Sequence, residues 1–244
     1  MQIQGKTALV SGANGGIGEA LVRELLKRGA ARIYAAVRKL ESAKALTQLD
    51  INKIVPVQLD ITDEASITAA AAHCRDIDLL FNNAGCNQVT SLMSPTALQA
   101  ARLEMDINYF GTLAMCQAFA PLLRARGGGL IANVCSIIGL VNLPANGTYC
   151  ASKAAVHSMI QGIRAELRPQ NIQVIGIYPG PVDTAMTAGQ DMPKASSLEV
   201  AFAICNGVEA GDEYIFPDPM SKEVSAMLAK DSKGVEKQFA TYLP

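Results

Sequence analysis

The chain has 244 residues, 50% of them hydrophobic, and a net charge of −1. Such a length and apolar share can fill the core of one large domain, and the near-neutral charge excludes both a solvated acidic tail and the basic footprint of a nucleic-acid binder. No apolar run approaches the roughly 20 residues of a membrane span, so no membrane partner is expected.

The N-terminus, Met1-Gln2-Ile3-Gln4-Gly5-Lys6, lacks the basic flank and apolar run of a signal peptide. Six cysteines are scattered without C-x-x-C or zinc-ligand spacing, which points to reduced thiols, a cytoplasmic setting and no metal.

Lys6 to Ser11 is an apolar run feeding glycines, and Glu19 to Arg28 then shows helical periodicity. Strands are predicted at 31–37, 54–59, 77–82, 130–134, 172–178 and 213–216. The intervening helices are predicted at 41–48, 63–73, from Pro95 to the Gly127-Gly128-Gly129 break, 149–168 and 198–208. Thr62 or Asp63 is the expected cap of the 63–73 helix. The tail from Pro219 alternates helix-forming and charged residues without a clear pattern.

Strands that are apolar throughout and alternate with helices specify a parallel sheet covered on both faces. No repeat, linker or composition shift divides 1–244, so the expectation is α/β, a single domain of Rossmann type with a doubly wound sheet. The segment 184–198 is a short lid-like loop.

Ser11-Gly12-Ala13-Asn14-Gly15-Gly16-Ile17-Gly18 joins the first strand to the first helix. Glycines there allow a tight turn and close backbone approach to a phosphate, and the following helix offers unpaired N–H groups. The spacing Gly12-x-x-x-Gly16-x-Gly18 differs from G-x-G-x-x-G, but its place between strand and helix fits nucleotide binding. A carboxylate about 20 residues on would bind the ribose of NAD, whereas an arginine accommodates the extra phosphate of NADP. That position is Arg38, whose forked guanidinium suits a phosphate, so NADP(H) is the expected cofactor. Asp60, next to Ile61 after the third strand, reads either as an adenine contact or as a helix-initiating aspartate. Asn82-Asn83-Ala84-Gly85 ends the fourth strand, at the edge where such sheets hold ligands.

Tyr149 and Lys153 are one helical turn apart and share a face. A free tyrosine, with a pKa of about 10, is a sluggish acid at neutral pH, and a neighbouring cation favours its phenolate. With the glycine loop, Asn82-Asn83-Ala84-Gly85, Ser136 and Tyr149-x-x-x-Lys153 in this order, the chain resembles the short-chain dehydrogenase/reductase family over nearly its whole length.

The resemblance implies that Ser136 binds the substrate oxygen, Tyr149 donates or accepts the proton, and Lys153 lowers the tyrosine's pKa and holds the nicotinamide ribose. Asn108 would anchor a relay water. Pro179, Gly180, Val182 and Thr184 would face the nicotinamide and diphosphate. The implied reaction is NADPH-dependent reduction of a ketone or aldehyde. The substrate end is expected to involve Ser136, Ile138, Leu143, Tyr149 and Tyr178. Those neighbours are mostly apolar, so a small to medium hydrophobic carbonyl compound is favoured.

A homodimer or homotetramer is implied as well, through the 101–126 and 149–168 helices. Phe110, Leu113, Phe119 and Leu123 belong either to that interface or to the core. Two other readings remain: a ketoreductase acting on carrier-bound 3-oxoacyl groups, for which Arg124 and Arg126 would help a basic docking surface, and a regulator that senses NADP(H) without turnover.

Overall fold

The computed structural model describes residues 1–243. Seven strands form one parallel sheet: β1 (Thr7–Ser11), β2 (Arg32–Val37), β3 (Ile54–Gln58), β4 (Leu79–Asn82), β5 (Gly129–Val134), β6 (Ile172–Ile177) and β7 (Tyr214–Ile215). Their spatial order is β3-β2-β1-β4-β5-β6-β7. The order reverses between β1 and β4, which opens a crevice at the carboxyl edge of the sheet. Registers Ser11↔Ala36, Asn82↔Asn133 and Val134↔Ile177 bring the strand ends into line along that edge.

Side chains alternate between two cores, as the two-residue period of a strand requires. Ala8, Val10, Leu79, Phe81, Leu130 and Ala132 face one side, with α1 (Gly16–Lys27) and α7 (Ser197–Ala210) packed over them. Leu9, Leu80, Ile131 and Val174 face the other side, under α3 (Glu64–His73), α5 (Thr112–Ala125) and α6 (Gly147–Leu167). Burial on both faces explains why these strands read as unbroken apolar runs. Asp63, rather than Thr62, caps α3, accepting the Ala65 N–H at 3.0 Å.

Two predicted elements come out differently, and the tail holds one that was not predicted. The 41–48 helix is a 3-10 turn followed by the single turn α2 (Lys44–Thr47). The long helix after Pro95 is α4 (Ala97–Glu104) and α5, joined by a wider π turn over Met105–Gly111. Gly111 lets that turn lie against Ile61, since a Cβ there would fall 2.9 Å from the Ile61 carbonyl oxygen. The unassigned tail contains α8 (Pro219–Phe239). Its start was written in the sequence, because Asp218 caps the Ser221 N–H at 2.8 Å and Pro219 takes the first helical position.

Phe119 and Leu123 are core residues, whereas Phe110 is exposed on the π turn. All six cysteines are free. Burial pushes the thiols of Cys74, Cys116 and Cys205 up to about 12 and those of Cys135 and Cys150 up to about 11, so all five stay protonated and inert at neutral pH. Among the described residues, no helix is long and apolar enough to cross a membrane.

Candidate active site

A cleft of about 1900 Å³ runs along the carboxyl edge of the sheet. A single small-molecule pocket is typically about 300–1000 Å³, so this one has room for a dinucleotide and a second molecule.

One end is built on the glycine loop. Gly12 has φ +63 and Gly16 φ +36, left-handed conformations that disfavour any side chain. A Cβ on Gly12 would lie 3.1 Å from Ala84 Cα, and one on Gly16 would collide with the Thr184 side chain. Ser11 and Asn83 lock this loop to the next strand end. The Ser11 hydroxyl accepts the N–H groups of Asn83 (3.0 Å) and Ala84 (3.1 Å), while the Asn83 amide donates to the carbonyls of Ser11 (3.0 Å) and Gly12 (3.2 Å). No side chain caps the start of α1, so its first N–H groups and positive dipole end remain for an anion. These features fit a dinucleotide diphosphate.

Arg38 stands exposed where β2 ends and lines the cleft. Asp60 faces it. The Asp60 carboxylate accepts the N–H (2.9 Å) and hydroxyl (2.7 Å) of Thr62. Those two bonds, and then the charge of Arg38, hold it below the usual aspartate range. Arg38 therefore meets a permanent carboxylate and is left with further donors for a phosphate.

The middle of the cleft holds Ser136, Tyr149 and Lys153. Ser136 follows β5 in extended conformation, and its hydroxyl leans on the Pro179 carbonyl at 3.4 Å. Tyr149 sits in the first turn of α6 and is 8% exposed. Burial raises the phenol's pKa well above its ordinary value, and a hydrogen bond from Ser136 pulls the other way. Lys153, 4% exposed, donates to the Val134 carbonyl at 2.9 Å, with its Nζ 5.6 Å from the Tyr149 ring centroid. Burial lowers its pKa in turn. In the free protein, burial is the largest influence on the phenol, and Tyr149 rests protonated.

Asn108 occupies the middle of the π turn, away from the cleft wall. Its Oδ1 accepts the Cys86 N–H at 2.9 Å, and its Nδ2 donates to the Cys86 carbonyl and the Ser152 hydroxyl, both at 2.9 Å. It therefore clamps the backbone just after Gly85 to α6. Gly85 itself allows the approach, since a Cβ there would lie 3.0 Å from Asn108 Oδ1.

Asn14, Ile17, Ile61, Ala84, Gly85, Ile138, Leu143, Pro179, Gly180, Val182 and Thr184 also line the cleft. Three further expectations lie behind its wall. Asn82 is buried and donates to Asn133 across the sheet at 2.9 Å. Gly18 is a packing glycine, whose Cβ would run into the Gly12 carbonyl. Tyr178, expected on the substrate, is 0% exposed; its ring stacks between Tyr214 and Phe216, and its hydroxyl bonds His157 Nδ1 at 2.8 Å. The reason is parity: residues 172, 174 and 178 point into the α6-side core, so Tyr178 continues the strand's inward face rather than turning to the edge.

The expected lid segment makes several contacts with the body of the domain. Val182 pairs with Ala195, the Lys194 ammonium donates to the Thr187 carbonyl at 2.7 Å, and α7 starts at Ser197 behind a Ser196 capping box.

Sequence reasoning missed α8. Met227, Phe239, Tyr242 and Leu243 line the cleft, and Asp218 accepts the Gly180 N–H at 2.8 Å. The Asp218-Pro219 start signal was legible; where the helix would dock was not.

Residues 6–194 match the family of short chain dehydrogenases. An uncharacterized oxidoreductase of Staphylococcus epidermidis is 32% identical over 202 residues, covering 81% of this chain and 87% of its own. The NADPH-dependent 1-acyldihydroxyacetone phosphate reductase of Saccharomyces cerevisiae is 32% identical over 198 residues, 78% of this chain and 66% of the yeast protein. In three dimensions, a short-chain dehydrogenase of Burkholderia cenocepacia solved with NADP superposes with a TM-score of 0.92 at 40% identity, covering 98% of this chain and 99% of that one. On this match and this fold, the chain belongs to the short-chain dehydrogenase/reductase family and is an oxidoreductase acting on CH–OH and C=O groups.

Proposed function

We propose that the protein reduces a ketone or aldehyde to the alcohol with NADPH, and that Tyr149 is the proton donor. The observation that carries this reading is the convergence of Ser136, Tyr149 and Lys153 midway along one cleft, with an uncapped glycine loop and Arg38 at its far end. NADP(H) is the cofactor: Gly12, Gly16 and the start of α1 take its diphosphate, Arg38 its 2′-phosphate, and Lys153 its nicotinamide ribose. Support comes from the Burkholderia relative solved with NADP and from the NADPH dependence in the yeast relative's name. When bound, the cofactor supplies the hydride.

The protein supplies position and proton. The hydroxyls of Ser136 and Tyr149 hold the carbonyl oxygen and stabilise the negative charge that grows on it. The Tyr149 phenol, protonated at neutral pH as any tyrosine is, gives its proton to that oxygen. The Lys153 ammonium stabilises the phenolate left behind. Asn108 keeps one Oδ1 lone pair beyond its Cys86 bond, and a relay water on it would return the proton.

Arg126 is engaged with Asp78 at 3.0 Å, and neither Arg124 nor Arg126 lines the cleft, which removes support from a carrier-docking ketoreductase. A sensor without turnover would have no need of Ser136, Tyr149 and Lys153 together. The homo-oligomer implied by the family would use the exposed Phe110 on the π turn.

The test is oxidation of NADPH, followed by its absorbance, with a panel of ketones and aldehydes. Tyr149→Phe is expected to lower kcat by about 100- to 10 000-fold, the usual weight of a general acid, with NADPH affinity unchanged. Equal turnover by wild type and variant would remove Tyr149 from the mechanism.

A further inference from the structure

α8 is two helical segments. Asp231, at φ −152 and ψ 82, breaks it, and the Asp231 carboxylate caps the second segment by accepting the Gly234 N–H at 2.9 Å. The turn sends residues 232–243 back over the substrate end of the cleft. Val235 and Phe239 drop into a small core with Ile137, Val141 and Val224. Beyond the helix, the Tyr242 carbonyl accepts the Ala145 N–H at 3.1 Å, which fastens this strap to the chain between Ser136 and Tyr149. The Tyr242 ring stands edge-on against Phe239, 5.9 Å between centroids.

Phe239, Tyr242 and Leu243 then line the cleft together with Ile138, Leu143 and Met227. Tyr242 and Leu243 are 53% and 71% exposed, large apolar surface left against an open space. Charge narrows the choice of ligand. The cations on the cleft wall are Arg38, Lys153 and Lys194. Arg38 lies at the glycine-loop end, Lys153 is held on Val134, and Lys194 is held on Thr187. Glu223 lies one turn before Met227 on α8 and lines the same cleft, so an anionic group beside that wall would meet a carboxylate.

We infer that the strap 232–243 is the specificity wall of this enzyme, and that through Tyr242 and Leu243 it selects carbonyl compounds with a bulky, uncharged apolar body. This rests on the carbonyl-reductase reading above, and it replaces small to medium substrates with large ones.

The experiment compares wild type with the double variant Tyr242→Ala, Leu243→Ala in the full chain, both sites being exposed enough to leave the fold intact. Substrates are 2-acetylnaphthalene, butanone and the anionic 6-acetyl-2-naphthoate. The variant should raise KM for 2-acetylnaphthalene by about 10-fold with kcat nearly kept, because uniform binding is lost, while kcat/KM for butanone stays within about twofold. Wild type should prefer 2-acetylnaphthalene over the naphthoate by about 10-fold or more. Equal shifts for both neutral ketones, no shift, or equal use of the anionic compound would overturn the inference. If wild type turns over neither neutral ketone, the reductase reading fails on its own. Titration of 2-acetylnaphthalene into the protein with NADP⁺ then decides the wall: tighter binding to wild type than to the variant upholds it, and equal or absent binding overturns it.

Discussion

The two ends of the cleft are built in different ways. The glycine-loop end is made of backbone: Gly12, Gly16, the uncapped start of α1 and the strand ends, braced by Ser11 and Asn83. The substrate end is made of side chains from distant elements, Ile138 and Leu143 before α6 and Met227, Phe239, Tyr242 and Leu243 from the far end of the chain. A backbone site tolerates few residue types, because positive φ and close approach admit only glycine. An apolar wall accepts any side chain of suitable bulk. One end is therefore set to hold a constant ligand, and the other is free to set the choice of substrate.

Arg38 is the exception within the first end, a side chain doing what the backbone does elsewhere, and removing it should give the largest change in cofactor binding. Hydrogen bonds to charged groups contribute about 1.5–3 kcal/mol, so Arg38→Ala should weaken NADPH binding by about 10- to 150-fold. NADH, which lacks the phosphate, should bind nearly as before. Equal losses for both dinucleotides, measured by fluorescence titration, would mean that Arg38 contacts something other than the 2′-phosphate.

Asp218 joins the two ends. Its carboxylate accepts the Gly180 N–H on the cofactor side and the Ser221 N–H at the start of α8, each at 2.8 Å, from a position only 3% exposed. Asp218→Ala leaves both donors buried and unpaired and should lower stability by about 1–3 kcal/mol. In a chain of this size that is about 2–4 °C in Tm for each kcal/mol. If Asp218 couples the ends, KM for a bulky ketone and the affinity for NADPH should worsen together; a change in only one would confine its role to that side.

The same contrast explains what the sequence made legible. Gly12-x-x-x-Gly16-x-Gly18, Arg38, Asn82-Asn83-Ala84-Gly85 and Tyr149-x-x-x-Lys153 could be read because each is a local pattern tied to a strand end or one helical turn. The sheet was legible too, since strands buried on both faces are apolar throughout. The π turn was not, because Met105–Gly111 carries the composition of an ordinary helix, and the close approach of Gly111 to Ile61 is a contact between distant parts of the chain. Nor was the docking of α8, which rests on Ala145 bonding Tyr242 and on Val235 and Phe239 reaching Ile137, contacts about 100 residues apart that no local pattern records. Tyr178, the last residue of the predicted 172–178 strand, was expected on the substrate, and parity put it inside.

Tyr178 also gives the smallest prediction. Burial raises the Tyr178 pKa far above its ordinary value, so its hydroxyl keeps its proton and shares a 2.8 Å hydrogen bond with His157 Nδ1. Tyr178→Phe removes that bond and should lower stability by about 1 kcal/mol, while KM for every ketone stays unchanged; a raised KM would return Tyr178 to the substrate site. His157 itself is held below its ordinary pKa of 6.5, first by burial and then by the Arg164 charge. The unfolded chain then binds its proton more readily than the folded one, so stability from this group is complete above about pH 6.5 and is lost as the pH falls towards the folded pKa. His157→Gln should flatten that slope in acid. Tyr178→Phe should keep it, because neither burial nor Arg164 depends on the phenol. Denaturation midpoints measured at several pH values below neutrality separate the two, and an unchanged slope in His157→Gln would assign the acid sensitivity to another group.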